Sequence, residues 1–521
     1  ILWLMRASKV SAEMGSLLSD KFPKSTLKVT QVTGSPSAKT IAAIDQLLIV
    51  LPDKPSASVW RRIPQGSRVQ SLMRRRSPGS VPASATRINN KRQTLLAVGM
   101  VPKDAGPYEQ LAFARKLIGV VLSEKAGTLG IWVLGFPKAE VETVVARVTA
   151  AAYAIAFRLA EFKTRPRPSR IKNVHVIGLD EKLDLRRVSA EANGNNLARW
   201  LTAMPPNKLD APTYLGLLSE LSKARGWQFK KYDVAELKKL GAGAFLAVAQ
   251  GNADDSAAIV RLRYRPDGKK NSAPSLSLVG KGIIFDTGGN NLKPFSSMVD
   301  MHIDMGGSAV ALGTLLAISE LQLPVPVDCW LAITENRIGP TAYKSQDVIK
   351  AINGKTIQTI HTDAEGRLVL ADTLVLASRD KPGLIIDYAT LTGACINAVT
   401  RYYCGVFTNR PDLHPVLKKA GRDSGERVWP FPIGKEFLGE LESDTADLRQ
   451  CTPDAGGDHI LAATFLNEFV DDTIPWVHID LSALQRKGGL AHIPTDITGF
   501  GVRFTMDLVL DKKVLDEAEW K

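Results

Sequence analysis

Two segments of the 521-residue chain gather ionisable side chains at spacings suited to catalysis. VGKGIIFDTGGNNLKPFSSMVDMHIDMGG, from Val279 to Gly307, carries Lys281, Asp286, Lys293 and Asp304. HTDAEGRLVLAD, from His361 to Asp372, carries Asp363, Glu365 and Arg367. If Asp363 and Glu365 stand in extended backbone, their i, i+2 spacing points both carboxylates the same way. Four carboxylates converging on one place repel unless divalent cations compensate them. An oxygen-rich set with few His or Cys suits Mn²⁺, Zn²⁺ or Mg²⁺ in a carboxylate-bridged pair. Two such ions roughly 3.5–4 Å apart polarise a carbonyl and turn a bridging water into a nucleophile near neutral pH. That chemistry suits amide hydrolysis. Any one of these residues alone is ordinary: a D-x-E in a loop is usually a solvated face or a helix cap, and a buried Lys beside acids is often a structural ion pair. The combination carries the signal.

In an α/β protein such residues belong beyond the carboxyl ends of parallel strands. From about residue 205 the pattern alternates strand-like runs (275–279, 325–333, 384–389, 476–481) with helical runs (214–225, 309–320, 369–378, 460–469), which implies a mostly parallel sheet covered by helices. The first third predicts strands at 46–51 and 130–134, a long helix around 140–162, a strand at 174–179 and a helix through 195–202. Between these, Trp60–Arg92 is dense in arginine with Pro, Ser and Gly and reads as loop; TRPRPSRIK, 164–172, reads as a linker. The expected organisation is a basic α/β domain over 1–165, a connecting segment over 166–195 and a catalytic domain over 196–521.

Composition is that of a globular protein, with 45% hydrophobic and 23% charged residues. No uninterrupted apolar run approaches the 18 residues of a membrane span, and the opening Ile-Leu-Trp-Leu-Met is too short for a signal-peptide core. Four cysteines, none in a CxxC pair, fit a reducing, cytoplasmic setting. The net charge of +14 is uneven: residues 1–190 hold 31 Lys+Arg against 13 Asp+Glu, and the remainder is slightly acidic. That basic excess raises an alternative, nucleic-acid binding through the N-terminal domain, as a second or main role. Several superficial motifs fail. Asn353-Gly354-Lys355-Thr356 lacks the earlier Gly of a phosphate loop, no HExxH occurs, and Cys395 has no evident base.

The two acidic blocks closely resemble those of the leucine aminopeptidase (cytosol aminopeptidase) family, whose sequences read approximately VGKG-[IL]-T-FD-SGG-x-x-x-KP and NTDAEGRL. The resemblance extends over most of residues 190–510, through WLTAMPPNKL, AYKSQDVI, LTGAC, GGDHILAATFL and WVHIDL. It implies a metal-dependent aminopeptidase that removes N-terminal residues from short peptides, with a smaller macro-like N-terminal α/β domain and a larger catalytic one. By the same resemblance Lys281, Asp286, Asp304 and Glu365 would hold one metal ion and Asp286, Asp363 and Glu365 the other. Lys293 would stabilise the tetrahedral oxyanion, and Arg367 would anchor a bicarbonate acting as proton shuttle. The family also implies a homohexamer, a dimer of trimers with its active sites facing an interior cavity.

The chain departs from the family around this intact core. His361 replaces the usual Asn before TDAEGR, His302 a Lys or Arg, and Thr287 a Ser. In Ile479–Gln485, IDLSALQ stands where the family commonly has LDIAG. The resemblance places Met301, His361, Thr390, Gly393, Ser482 and Gln485 around the substrate's first side chain. A wall containing Ser482 and Gln485 weakens a preference for leucine, because its polar groups lose water without gaining a partner.

Overall fold

The computed structural model describes residues 27–515 except 76–82, 123–126, 166–170, 270–271 and 454–455. The opening pentapeptide, Arg76 and most of the expected 164–172 linker lie outside the described residues.

Two main sheets organise the chain. The first contains β1 (Lys28–Thr33), β2 (Gln46–Leu51), β3 (Ala83–Arg87), β4 (Leu95–Met100), β5 (Thr128–Val133) and β6 (Asn173–Leu179), in the order β1-β6-β5-β2-β4-β3. All its pairings are parallel except β3 with β4. The arginine-dense stretch expected to be loop instead forms helices α1 (Ala57–Arg62) and α2 (Gly66–Arg74) before β3. The reason is apolar anchoring: Trp60, Ile63 and Val69 are buried with Ile49, Leu51 and Trp132, while the arginines face outward. Helices α3 (Pro107–Val121) and α4 (Lys138–Ala156) cover this sheet through a separate core containing Leu117, Ile131, Val145 and Val176.

The second sheet holds eight strands: β7 (Gln228–Asp233), β8 (Ala258–Tyr264), β9 (Leu276–Asp286), β10 (Val327–Asn336), β13 (Leu384–Ala389), β14 (Cys404–Thr408), β15 (Val428–Pro430) and β17 (Trp476–Asp480). A small third sheet contains β11 (Val348–Lys350), β12 (Thr356–Gln358) and β16 (Leu448–Arg449). The order of the large sheet is β15-β14-β17-β13-β9-β10-β8-β7. Its central strands β17, β13, β9 and β10 are mutually parallel, and antiparallel pairings lie toward both edges. Neighbouring residues of one strand feed opposite cores: Leu278 and Ile386 pack on one face, Val279 and Ile385 on the other. Burial on both faces explains why these strands read as continuous apolar runs rather than alternating ones.

Helix α5 (Arg186–Thr202) and helix α6 (Gly306–Glu320) cover one face, and α7 (Glu365–Ser378) covers the other. The run Met301–Glu320 is long and apolar enough to cross a membrane by composition, but 89% of its apolar window is buried inside the protein. It is a core helix preceded by a 3₁₀ turn. A Cβ on Gly307 would lie 2.1 Å from the Tyr388 carbonyl oxygen, so α6 sits against the sheet only because that position has no side chain. This close approach sets the depth at which the preceding turn, Met301–Met305, presents Asp304.

Candidate metal centre and active site

The carboxyl ends of three of the central parallel strands, β9, β13 and β17, converge on one cavity of about 670 Å³. Strand β9 supplies Lys281 from its interior and Asp286 from its last residue; β13 runs into Thr390 and Leu391, and β17 into Leu481 and Ser482. Asn336, the last residue of β10, donates from Nδ2 to Asp286 Oδ1 at 2.8 Å and to the Thr362 carbonyl at 3.0 Å, fixing the two acidic segments against each other. Neither spacing nor composition singled out Asn336, since its role is to join segments distant in sequence.

Asp286, Asp363 and Glu365 each offer a carboxylate oxygen within 4.8 Å of the others. Lys281 Nζ lies 2.9 Å from both Asp304 Oδ2 and Glu365 Oε1, and donates to the Thr390 carbonyl at 3.0 Å. Lys293 Nζ pairs with Asp286 Oδ2 at 2.9 Å and with Asp363 Oδ1. The expectation of extended backbone for Asp363 and Glu365 does not hold: Asp363 occupies a turn and Glu365 is the first residue of α7. Convergence comes from the turn, which folds Asp363 back while the helix start aims Glu365 inward. A Cβ on Gly366 would meet Lys281 Nζ at 2.7 Å, so the lysine could keep this position only with no side chain there.

Burial pushes the Asp304, Asp363 and Glu365 carboxyls up, and mutual repulsion with Asp286 adds to it. Burial would lower the Lys281 and Lys293 ammoniums, but the surrounding carboxylates outweigh it and hold both above the usual lysine range. A neutral Lys281 amine as ligand therefore needs adjacent cations to reverse that balance. Four carboxylates face only two ammoniums. Asp304 Oδ2 and Asp363 Oδ1 are buried and have a lysine ammonium as their partner, which leaves lone pairs on each oxygen for a further cation. This donor set fits divalent cations, which take several hard oxygen ligands and cancel the excess negative charge.

The remaining expected residues lie around the same cavity. Arg367, on α7 and 2% exposed, donates from Nη1 to the Gln450 carbonyl at 3.0 Å and from Nη2 to both Asp458 oxygens at 2.8 Å. His361 accepts from the Asp363 amide at 3.2 Å through Nδ1, and burial followed by the nearby Lys293 charge lowers its imidazole. Met301, Thr390, Gly393, Ser482 and Gln485 all line the cavity. The Thr390 hydroxyl donates to Asp304 Oδ1 at 2.5 Å, so it orients a carboxylate rather than being free for substrate. Ser482 is buried and hydrogen-bonds the Asp480 carbonyl at 3.4 Å. Gln485 bridges two charged neighbours absent from the sequence reading: its Nε2 donates to Asp300 Oδ2 at 3.2 Å, and Arg401 Nη1 donates to its backbone carbonyl at 3.0 Å. The pocket wall is thus more polar than IDLSALQ alone implied. Cys395 is buried and burial pushes its thiol up, in keeping with a packing role.

Holding divalent cations, such an arrangement would suit the polarisation and hydrolysis of an amide, and comparison with known proteins points to the same chemistry. The profile of the cytosol aminopeptidase family, catalytic domain, matches residues 196–506. A probable cytosol aminopeptidase of Parasynechococcus marenigrum is 34% identical over 461 residues, covering 87% of this chain and 94% of that protein. One from Stutzerimonas stutzeri is 43% identical over 307 residues, covering 58% of this chain and 60% of that one. Among solved structures, the leucyl aminopeptidase of Trypanosoma brucei in complex with bestatin shares the fold, with a TM-score of 0.81 at 24% identity over 96% of this chain and 98% of that one. The bottromycin maturation enzyme BotP in complex with Mn has a TM-score of 0.75 at 29% identity, covering 90% and 99%. The nucleic-acid alternative finds no support among these relatives. With the catalytic profile spanning 311 residues and a relative matched along nearly its whole length, the chain belongs to the cytosol aminopeptidase family and is a metal-dependent aminopeptidase.

Proposed function

We propose that this enzyme removes the N-terminal residue from short peptides at a two-metal centre held by Lys281, Asp286, Asp304, Asp363 and Glu365. The observation that carries the reading is the cluster of Asp286, Asp363 and Glu365 oxygens within 4.8 Å, beside two lysines at the head of a 670 Å³ cavity. Asp286, Asp304 and Glu365 with Lys281 would hold one ion, and Asp286, Asp363 and Glu365 the other. Mn²⁺ or Zn²⁺, with Mg²⁺ as the third candidate, would supply a water of lowered pKa and a polarised carbonyl. Around them the chain's own groups orient the reaction. The Lys293 ammonium, between Asp286 and Asp363, would stabilise the oxygen that becomes negative on attack, and Asn336 and Thr390 hold the carboxylates in place. The first side chain of the peptide would rest between Met301, His361, Gly393, Ser482 and Gln485. The test is a panel of aminoacyl chromogenic amides, assayed after chelation and after readdition of Mn²⁺. Turnover should vanish on chelation and return with Mn²⁺, and leucine should not lead the ranking by more than about tenfold, the scale on which one apolar contact discriminates. No turnover on any amide with metal bound would sink the reading.

We further propose a cytoplasmic homohexamer. Leu292, Phe295 and Val299, between Lys293 and Asp304, are 54%, 82% and 55% exposed, an apolar group suited to contact with a second copy. Light scattering should give the mass of six chains; a monomeric mass at working concentration would refute it.

A further inference from the structure

One carboxylate in the cavity is left over by the metal cradle. Asp458 is the first residue of helix α8 (Asp458–Asn467), entered through Gly457 at φ +70°. Both its oxygens lie 2.8 Å from Arg367 Nη2, and its side chain is 23% exposed where the guanidinium is 2% exposed. Arg367 stands on α7 two residues beyond Glu365, and both Arg367 and Asp458 line the same cavity as the acidic cluster. The cavity's other acids are committed elsewhere. Asp480 accepts from the Thr392 hydroxyl at 2.7 Å and the Leu391 amide at 3.2 Å, and Asp300 accepts from Gln485. Amide hydrolysis needs a group that takes a proton from the attacking water and returns it to the leaving amine. Carboxylates whose lone pairs hold cations serve poorly in that role. Asp458 is anchored by the single nitrogen Arg367 Nη2, which reaches both its oxygens, and it lines the cavity while remaining partly exposed.

We infer that Asp458 is the resident base of this site, its carboxylate occupying the place on Arg367 that a bicarbonate would otherwise take. The inference rests on the peptidase reading. As the water oxygen bonds to the carbonyl carbon, one O–H bond breaks and its proton passes to Asp458. As the C–N bond breaks, that proton passes to the departing amine nitrogen, which leaves with its electron pair in a new N–H bond. Asp458 returns to carboxylate, and one water is consumed per peptide bond. Arg367 is the positioning residue that fixes the carboxylate's orientation. A purely structural ion pair, tying the start of α8 to α7, would leave the enzyme indifferent to small anions when Asp458 is removed.

The experiment compares metal-loaded wild type, Asp458→Ala and Asp458→Asn in carbonate-free buffer with and without added sodium bicarbonate. Turnover is measured alongside titration calorimetry of bicarbonate into each protein. Wild-type turnover should be unchanged by bicarbonate, with no heat of binding. Asp458→Ala should lose roughly 10²- to 10⁴-fold in kcat, bind bicarbonate measurably and regain turnover with it. Asp458→Asn keeps the side chain's shape, blocks the position, and should be equally slow but not rescued. Stimulation or binding of bicarbonate in the wild type, a test independent of how well any variant folds, would overturn the inference. So would undiminished turnover in Asp458→Ala, or slow turnover there with neither binding nor rescue. Absence of turnover in the metal-loaded wild type would instead strike at the peptidase reading.

Discussion

Glu365→Gln should lower Mn²⁺-supported peptide hydrolysis by about 10³-fold or more while leaving the fold in place. The side chain is buried, pairs through Oε1 with Lys281 at 2.9 Å, and is one of the three acids whose oxygens converge within 4.8 Å. Glutamine preserves its volume and removes its charge, so the core around α7 keeps its packing. What would be lost is the shared anionic ligand proposed above, and with it the several kcal/mol of charge stabilisation that bound cations would give the transition state. Stability separates this effect from simple misfolding. Burial and the neighbouring Asp286 disfavour the Glu365 carboxylate, so its neutralisation relieves repulsion in the metal-free protein. Metal-free Glu365→Gln should therefore melt no lower than the metal-free wild type. Saturating Mn²⁺ should stabilise the wild type by about 2.7 kcal/mol at a hundredfold excess over its dissociation constant, and the variant by clearly less. Metal content by mass spectrometry, kcat and thermal melting in both states provide the check. A variant with full metal content and turnover within tenfold of wild type would remove Glu365 from the centre.

Much of this centre was legible because its residues are local to two short blocks. Strands β2 and β13 run over the residues that alternation and apolar runs assigned to them, and the carboxyl ends of the parallel strands lie where the chemistry was sought. What escaped the sequence was governed by contacts between distant segments. Arg367 and Asp458 are 91 residues apart, and Asn336 joins Asp286 across 50; no spacing rule links them. The pairing of β7 and β8 as antiparallel strands beside β10 also went unread. Lys230 and Lys231 make β7 read as surface, yet its Tyr232 is buried and stacks on Trp330 at 5.8 Å. The arginine-dense segment misled in the opposite direction. Its charge dominated the composition, whereas three buried apolar residues, Trp60, Ile63 and Val69, decided that it packs. For Asp363 and Glu365 the convergence was right and the backbone wrong, because a turn followed by a helix start achieves what an extended pair would have done.

Replacement of Lys293 by alanine should reduce kcat by about 10²–10³-fold with little change in KM, the loss seen when one preorganised oxyanion donor is removed. Lys293 follows the Gly288-Gly289 turn, where its amide donates to the Thr287 carbonyl at 2.9 Å, so the turn sets the direction of the side chain. Its ammonium is 14% exposed and lies between Asp286 and Asp363. Those carboxylates, with Glu365, hold it above the usual lysine range in the metal-free protein, against the lowering effect of burial. A fixed positive charge at the cavity wall is worth most where negative charge develops, in the tetrahedral state, and least for the neutral ground-state carbonyl. That difference is why the effect should fall on kcat. Lys293→Arg is the informative companion. A planar, wider guanidinium cannot occupy the same point between the two carboxylates, so charge alone should not restore the rate. If Lys293→Ala instead raised KM with kcat preserved, the residue would be binding the ground state. If it lost metal along with activity, its work would be to hold Asp286 and Asp363 in register, and the metal content of the purified variant decides between them.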